Sequence, residues 1–212
     1  MGASGFLPPA PIGRRRALTA GLALAALAAL SATAYLTMRG RDHESIAADD
    51  YCVVAPPTPY DPASGLSLAA PRALPADARC PVCGMYPARS RDWAAQLIFS
   101  NGDAQFFDSP LSLFIYLGRV EHYALGRKRE DVVAIYVTDA VSRDWVDARQ
   151  AFYVQGSSAF GPMRAGNFPA FAQLAEARSF SEKRGGQVVT LEGVDAVLVQ
   201  RLAGNRRHSH DE

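Results

Sequence analysis

An excess of charge of either sign is missing from this chain. Its 22 Lys+Arg stand against 21 Asp+Glu, a formal net charge of +1 at pH 7. Nucleic-acid binders work by neutralising phosphates, and this balanced sequence offers no basic patch for that purpose, so no nucleic-acid partner is expected. Cysteine is scarce as well. Three cysteines exclude a disulfide-dense scaffold, and the odd number leaves at least one thiol free or paired with something else. Only 20% of residues are charged while 49% are hydrophobic, which excludes wholesale disorder. The 212 residues allow one domain or two small ones with a real core, once a tail is subtracted.

That tail comes first. Residues 1–13 are Gly/Pro-rich, and Arg14, Arg15 and Arg16 complete a basic segment 1–16, expected on the cytoplasmic side. From Ala17 to Met38 there is no charge, a run dominated by Ala and Leu. At ~1.5 Å per residue it can cross a hydrocarbon core ~30 Å thick. Residues 17–38 therefore read as a signal-anchor helix or a signal peptide. Ala32-Thr33-Ala34 offers a cleavage site near Ala34; Tyr35, Leu36 and Met38 prolong the apolar run and favour an anchor. No cysteine follows closely enough for lipidation. Either way, the rest of the chain is expected on the far, periplasmic side of an inner membrane.

Residues 39–79 read as a linker, because Pro56, Pro57, Pro59, Pro62, Pro71 and Pro75 interrupt any helix or central strand. After it the hydrophobic period is two. Residues 93–99 form an expected strand, Ser100-Asn101-Gly102-Asp103 a tight turn with positive φ at Asn-Gly, and residues 104–107 the return strand. Asp108-Ser109-Pro110 then caps a helix over 111–117 that stops at Gly118, a residue suited to the left-handed C′ position. Residues 132–138 form a buried strand. The order recurs with a strand at 151–155, a loop at 156–166, a short strand at 168–171, a helix at 174–183 and a strand at 187–191. The expected fold class is α+β, with two related ββαβ units, at 80–140 and 141–195, after the N-terminal apolar helix. Residues 196–212 read as a tail carrying His208 and His210.

Sulfur is concentrated in one short loop. Cys80-Pro81-Val82-Cys83-Gly84-Met85 places two thiols and a thioether together, and soft donors select Cu(I), Zn(II) or iron–sulfur clusters over hard cations. The thioether favours Cu(I). Met163, in Phe160-Gly161-Pro162-Met163-Arg164, reads by itself as a gap-filler against the core. A structural zinc site wants four ligands, and only Cys52 and the distant His208 and His210 remain. A redox pair wants a helix opening at the CxxC, which Gly84 and Pro87 forbid. A disulfide, Cys80–Cys83 or Cys52–Cys80, stays open. No further carboxylate stands at motif spacing from the pair, Asp92 being the nearest acid after it. His43 belongs to the linker, and His122 reads as a surface or core-edge residue.

Four markers occur together: Cys83-Gly84-Met85, the Asn-Gly hairpin leading into Phe107-Asp108, the loop Gly161-Pro162-Met163, and Gly185-Gly186 before the last strand. With them the chain, over about 78–195, resembles the nitrous oxide reductase accessory protein family, NosL. The resemblance implies two related ββαβ units, a fold shared with part of the alkylmercury lyases. It also implies an extracytoplasmic Cu(I) chaperone, not an enzyme, whose partner is apo nitrous oxide reductase or its copper-centre assembly machinery. The family's ligands map onto Cys83 and Met163, which turns Met163 from gap-filler into ligand; Cys80 and Met85 come next and a tail histidine last. The alternative is an enzyme, either a CxxC thiol–disulfide oxidoreductase or an organomercurial-lyase-like protein. Family members are commonly lipoproteins, and the absence of a lipidation cysteine is a departure.

Overall fold

The computed structural model describes residues 55–164 and 166–205. The chain divides after Cys52, and every described residue lies on the C-terminal side. The expectations for residues 1–54, including the apolar helix over 17–38, His43 and Cys52, fall outside the described residues, as do His208 and His210. Among the described residues no helix is long and apolar enough to cross a membrane.

The first sheet is built from β1 (Ala95–Phe99), β2 (Ala104–Phe107), β3 (Val132–Thr138) and β4 (Trp145–Asp147), all antiparallel in the order β2-β1-β3-β4. Trp93, expected in the first strand, instead ends a 3₁₀ segment, Pro87–Trp93. The β1–β2 turn is a three-residue loop in which Gly102 alone has positive φ, so Asn101 does not form the two-residue primed turn. Every residue of β1 and β2 is buried. Alternation explains how. Ala95, Leu97, Phe99 and Phe107 face the main core, while Ile98, Ala104 and Phe106 face a second cluster. That second face is covered by the segment expected to be a spacer. Thr58 and Ala104 exchange backbone hydrogen bonds at 2.8 Å each. The Gln96 side chain accepts from Arg72 N–H at 2.8 Å and donates to its carbonyl at 3.1 Å. Leu74 and Ala78 pack on Ile98 and Phe106. Residues 55–79 are thus a strap: proline forbids a helix but suits an extended cover, and each large apolar side chain it buries stabilises the fold by about 2 kcal/mol.

Helix α1 (Pro110–Leu117) is buried at all eight positions, the pattern of a helix enclosed on every side. Ser109 is its N-cap, accepting from Ser112 N–H at 3.3 Å, and Pro110 occupies N1. Gly118 ends it at φ −75°, in the right-handed region, so the left-handed C′ expectation is not met. A short helix α2 (Val120–Tyr123) follows.

The second sheet has the order β6-β5-β7, from β5 (Phe152–Gln155), β6 (Ala170–Phe171) and β7 (Gln187–Val189). Helix α3 (Leu174–Arg184) covers one face through Ala177 and Phe180. The other face joins the first sheet in one core, where Phe114 of α1 meets Tyr153 and Phe168 edge-on, each at 5.2 Å between ring centroids. β4 pairs with β3, so the first sheet extends past residue 141, where the second unit was expected to begin. The expected tail begins with a helix, α4 (Ala196–Asn205). Asp195 starts it, accepting from Val197 and Leu198 N–H at 2.8 and 3.2 Å, and Leu198, Val199, Leu202 and Ala203 dock on the core.

Candidate metal centre

The loop Cys80–Met85 closes on itself. Cys80 N–H donates to the Met85 carbonyl at 2.9 Å, and Gly84 N–H donates to the Cys80 carbonyl at 2.8 Å. Gly84 sits at φ 73°, a conformation a side chain would strain, and this turns the chain back so that both cysteines face one point. Cys80 is fully buried and Cys83 half-buried. Both are free thiols.

The third member of the group is Asp108. One ligand atom from each of Cys80, Cys83 and Asp108 lies within 4.8 Å of the others. The Cys83 thiol donates to Asp108 Oδ1 at 3.2 Å, while Oδ2 is buried without a hydrogen-bond partner. Leaving a buried carboxylate oxygen without a partner is costly. Asp108 lies just before the first turn of α1, where unpaired N–H groups favour negative charge. The Cys83 pKa is pushed far above the usual thiol range. The hydrogen bond with the Cys80 side chain is the largest cause, followed by burial and by the Cys80 and Asp108 charges. Without metal, Cys83 is a protonated thiol at neutral pH. A cation that binds there must displace the proton.

The loop carrying Met163 is built differently. Phe160 and Gly166 bridge its ends, and Arg164 N–H donates to the Gly161 carbonyl at 2.9 Å. Gly161 is required by a close approach: a Cβ there would stand 1.9 Å from Asn167 Nδ2. The Asn167 side chain is buried, and its Oδ1 accepts from Phe168 N–H at 2.8 Å and from Leu111 N–H at 3.1 Å. Leu111 is in the first turn of α1, so Asn167 ties the base of this loop to the same helix end that Asp108 precedes. Of the expected ligands, Cys80 and Cys83 enter the compact group with their sulfurs. Met85 closes the loop with its carbonyl, and its side chain is half-buried. Met163 is half-buried on the second loop.

Asp108 is not among the residues expected at the site. Asp108 is distant from the cysteines along the chain, and the fold brings it to them. The signal available was its place in Phe107-Asp108, after the hairpin. An open groove of about 480 Å³ runs between the Pro87–Trp93 segment and the Met163 loop, lined by residues that include Arg89, Arg91, Trp93, Gly161 and Pro162.

The architecture and site define a class: an α+β domain in which a buried carboxylate backs a surface cysteine loop. Residues 71–199 match the NosL family, and the chain belongs to that family. Among solved structures it is similar to the crystal structure of the copper chaperone NosL from Shewanella denitrificans, at a TM-score of 0.51 and 22% identity, covering 61% of this chain and 98% of that one. It is also similar to the solution structure of apo-NosL from Achromobacter cycloclastes, at a TM-score of 0.38 and 27% identity, covering 50% of this chain and 87% of that one. No curated protein matches the chain.

Proposed function

We propose that this protein is a copper-binding chaperone, not an enzyme, with Cu(I) as its cargo. The observation that carries the proposal is the group Cys80, Cys83 and Asp108, with its unpartnered buried oxygen, in a chain of the NosL family. The Shewanella relative, a copper chaperone, supports it through the fold. Cys83 supplies the thiolate and with it most of the affinity. Met163 supplies a thioether that no proton competes for, and Cys80 or Met85 completes the set. Soft sulfur donors suit Cu(I), and a small set of loop ligands leaves room for a recipient's ligand to enter before these leave. Asp108 holds the Cys83 thiol and sets a negative charge beside the incoming cation. The recipient in this proposal is nitrous oxide reductase or its copper-centre assembly machinery. The domain works on the periplasmic side of the inner membrane, tethered by the apolar run 17–38 or exported after cleavage near Ala34. Each sheet has one strand order, with the first strand of its half between the next two, which supports the two halves as related ββαβ units.

One observation favours a second reading. Cleavage of a mercury–carbon bond needs a thiol pair and a positioned proton donor, and Asp108 stands beside the thiol pair. One experiment separates the two. Reduced protein is titrated with Cu(I) and with Zn(II) against chromophoric chelators, then offered an organomercurial. Tight stoichiometric Cu(I) binding, weak Zn(II) binding and no organomercurial turnover are expected. Preference for Zn(II) would sink the chaperone reading, and turnover would replace it with the enzyme.

A further inference from the structure

The charge balance of the whole chain hides a local imbalance around the two sulfur loops. Arg79, directly before Cys80, stacks its guanidinium over the Tyr86 ring at 4.4 Å, and Arg89 stacks over the same ring at 4.8 Å. Tyr86 directly follows Met85, so a two-arginine stack borders the cysteine loop. Arg89 and Arg91 line the groove of about 480 Å³ together with Gly161 and Pro162, the residues leading into Met163. Arg164, directly after Met163, is exposed and held at φ 55°. The groove has one acid, Asp92, which Arg143 pairs at 3.3 Å. Phe160, on the same groove, is 68% exposed, and Trp93 beside it is half-buried.

We propose that this face docks an acidic segment of a partner protein, with an apolar side chain of that segment seated against Phe160 and Trp93. The inference rests on the copper-transfer reading and names the chemistry of the recipient. Charge complementarity carries it: four exposed guanidiniums, Arg79, Arg89, Arg91 and Arg164, flank the sulfur loops of a chain whose net charge is only +1. Guanidinium forks bind carboxylates through two parallel hydrogen bonds, which orients a partner as well as attracting it. Arginine beside exposed aromatic residues is also the composition of interface anchors. The site is a concave groove, which admits a polypeptide segment better than the flat surface of a bilayer. Docking there sets the partner's ligands beside both sulfur loops, and the positive field speeds encounter.

The test uses the full-length chain and a fluorescent synthetic peptide alternating glutamate with leucine, followed by anisotropy at low and at physiological salt. Wild type is expected to bind the peptide more weakly as salt rises. Arg89→Glu/Arg91→Glu is expected to weaken binding by about tenfold or more, and Phe160→Ser by a smaller factor. Arg201→Glu, a charge reversal on the exposed side of α4, is expected to change nothing. Cu(I) affinity measured on the same variants should stay at the wild-type value. Peptide affinity unmoved by Arg89→Glu/Arg91→Glu overturns the proposal, as does binding to phosphatidylglycerol vesicles that this double variant weakens more than it weakens peptide binding. A wild type that binds peptide as expected but no copper leaves the docking surface standing and removes only the copper reading.

Discussion

The loop at Cys80–Met85 is held by its own backbone, whereas the loop at Phe160–Gly166 adds to its own backbone bonds a tie to the start of α1. In the first, hydrogen bonds between Cys80, Gly84 and Met85 fix the turn, and the Asp108 carboxylate waits behind it. In the second, Asn167 ties the base of the loop to the first turn of α1, and its fit depends on Gly161 having no side chain. The first loop is therefore preorganised, and in the proposed function its Cys83 donor carries a proton that the metal must displace. The second, closed by backbone bonds of its own, is tied to α1 through the Asn167 amide, and in the proposed function Met163 offers a donor that protons do not compete for. In the proposed function a carrier that must both hold and release its cargo gains from this division, because a departing metal can leave the uncharged thioether first.

The largest expected effect separates the loops by affinity. Cys83→Ser should weaken Cu(I) binding by about a thousandfold, ~4 kcal/mol, because it removes the charged donor. Met163→Leu keeps the volume and should cost about ten- to a hundredfold, with thermal stability nearly unchanged. Chelator competition reads both. Equal losses would erase the proposed difference between the loops, and no loss in either would show that copper binds elsewhere.

The next effect sharpens how the second loop is positioned. Asn167→Ala leaves Leu111 N–H buried without its acceptor and should destabilise the domain by about 1–3 kcal/mol in thermal or denaturant unfolding. Copper affinity should fall with it, by about the same factor as for Met163→Leu. A variant that loses stability and keeps full copper affinity would show that Asn167 serves the core alone.

The smallest effect is a slope. The Cys83 pKa is raised, so the thiol is protonated at neutral pH and copper binding releases at least that proton. Lower pH therefore favours the metal-free form, and the dissociation constant should rise about tenfold for each pH unit lost. Met163→Leu should keep this slope and Cys83→Ser should flatten it. A flat profile in the wild type would mean that Cys83 already binds as a thiolate without needing to shed a proton.

Much of the fold was legible because its signals are local. The alternation in Ala95–Phe99, the Ser109-Pro110 start of α1 and the unbroken apolar strand Val132–Thr138 are each decided by residues a few positions apart. The strap was misread for a physical reason: proline reports that a segment is not helical, and says nothing about whether the segment is covered or free. Helix α4 was lost because the repeat of strands and helix had run its course by residue 195, although Asp195 and the spacing of Leu198, Val199 and Leu202 carry a capped amphipathic pattern.

The sequence alone determined the cysteine half of the candidate site, because Cys80 and Cys83 stand three positions apart in one short loop and enter the group together. It also determined the family, since those motifs are read in order along the chain. Only the tertiary structure decided that Asp108 stands against Cys83, that Asn167 ties the base of the Met163 loop to the same helix end, and that Arg89 and Arg91 share one groove with Gly161 and Pro162. Each of these joins residues far apart in the chain. Such contacts are made by burying α1 between two sheets, and burial leaves no spacing in the sequence to be read.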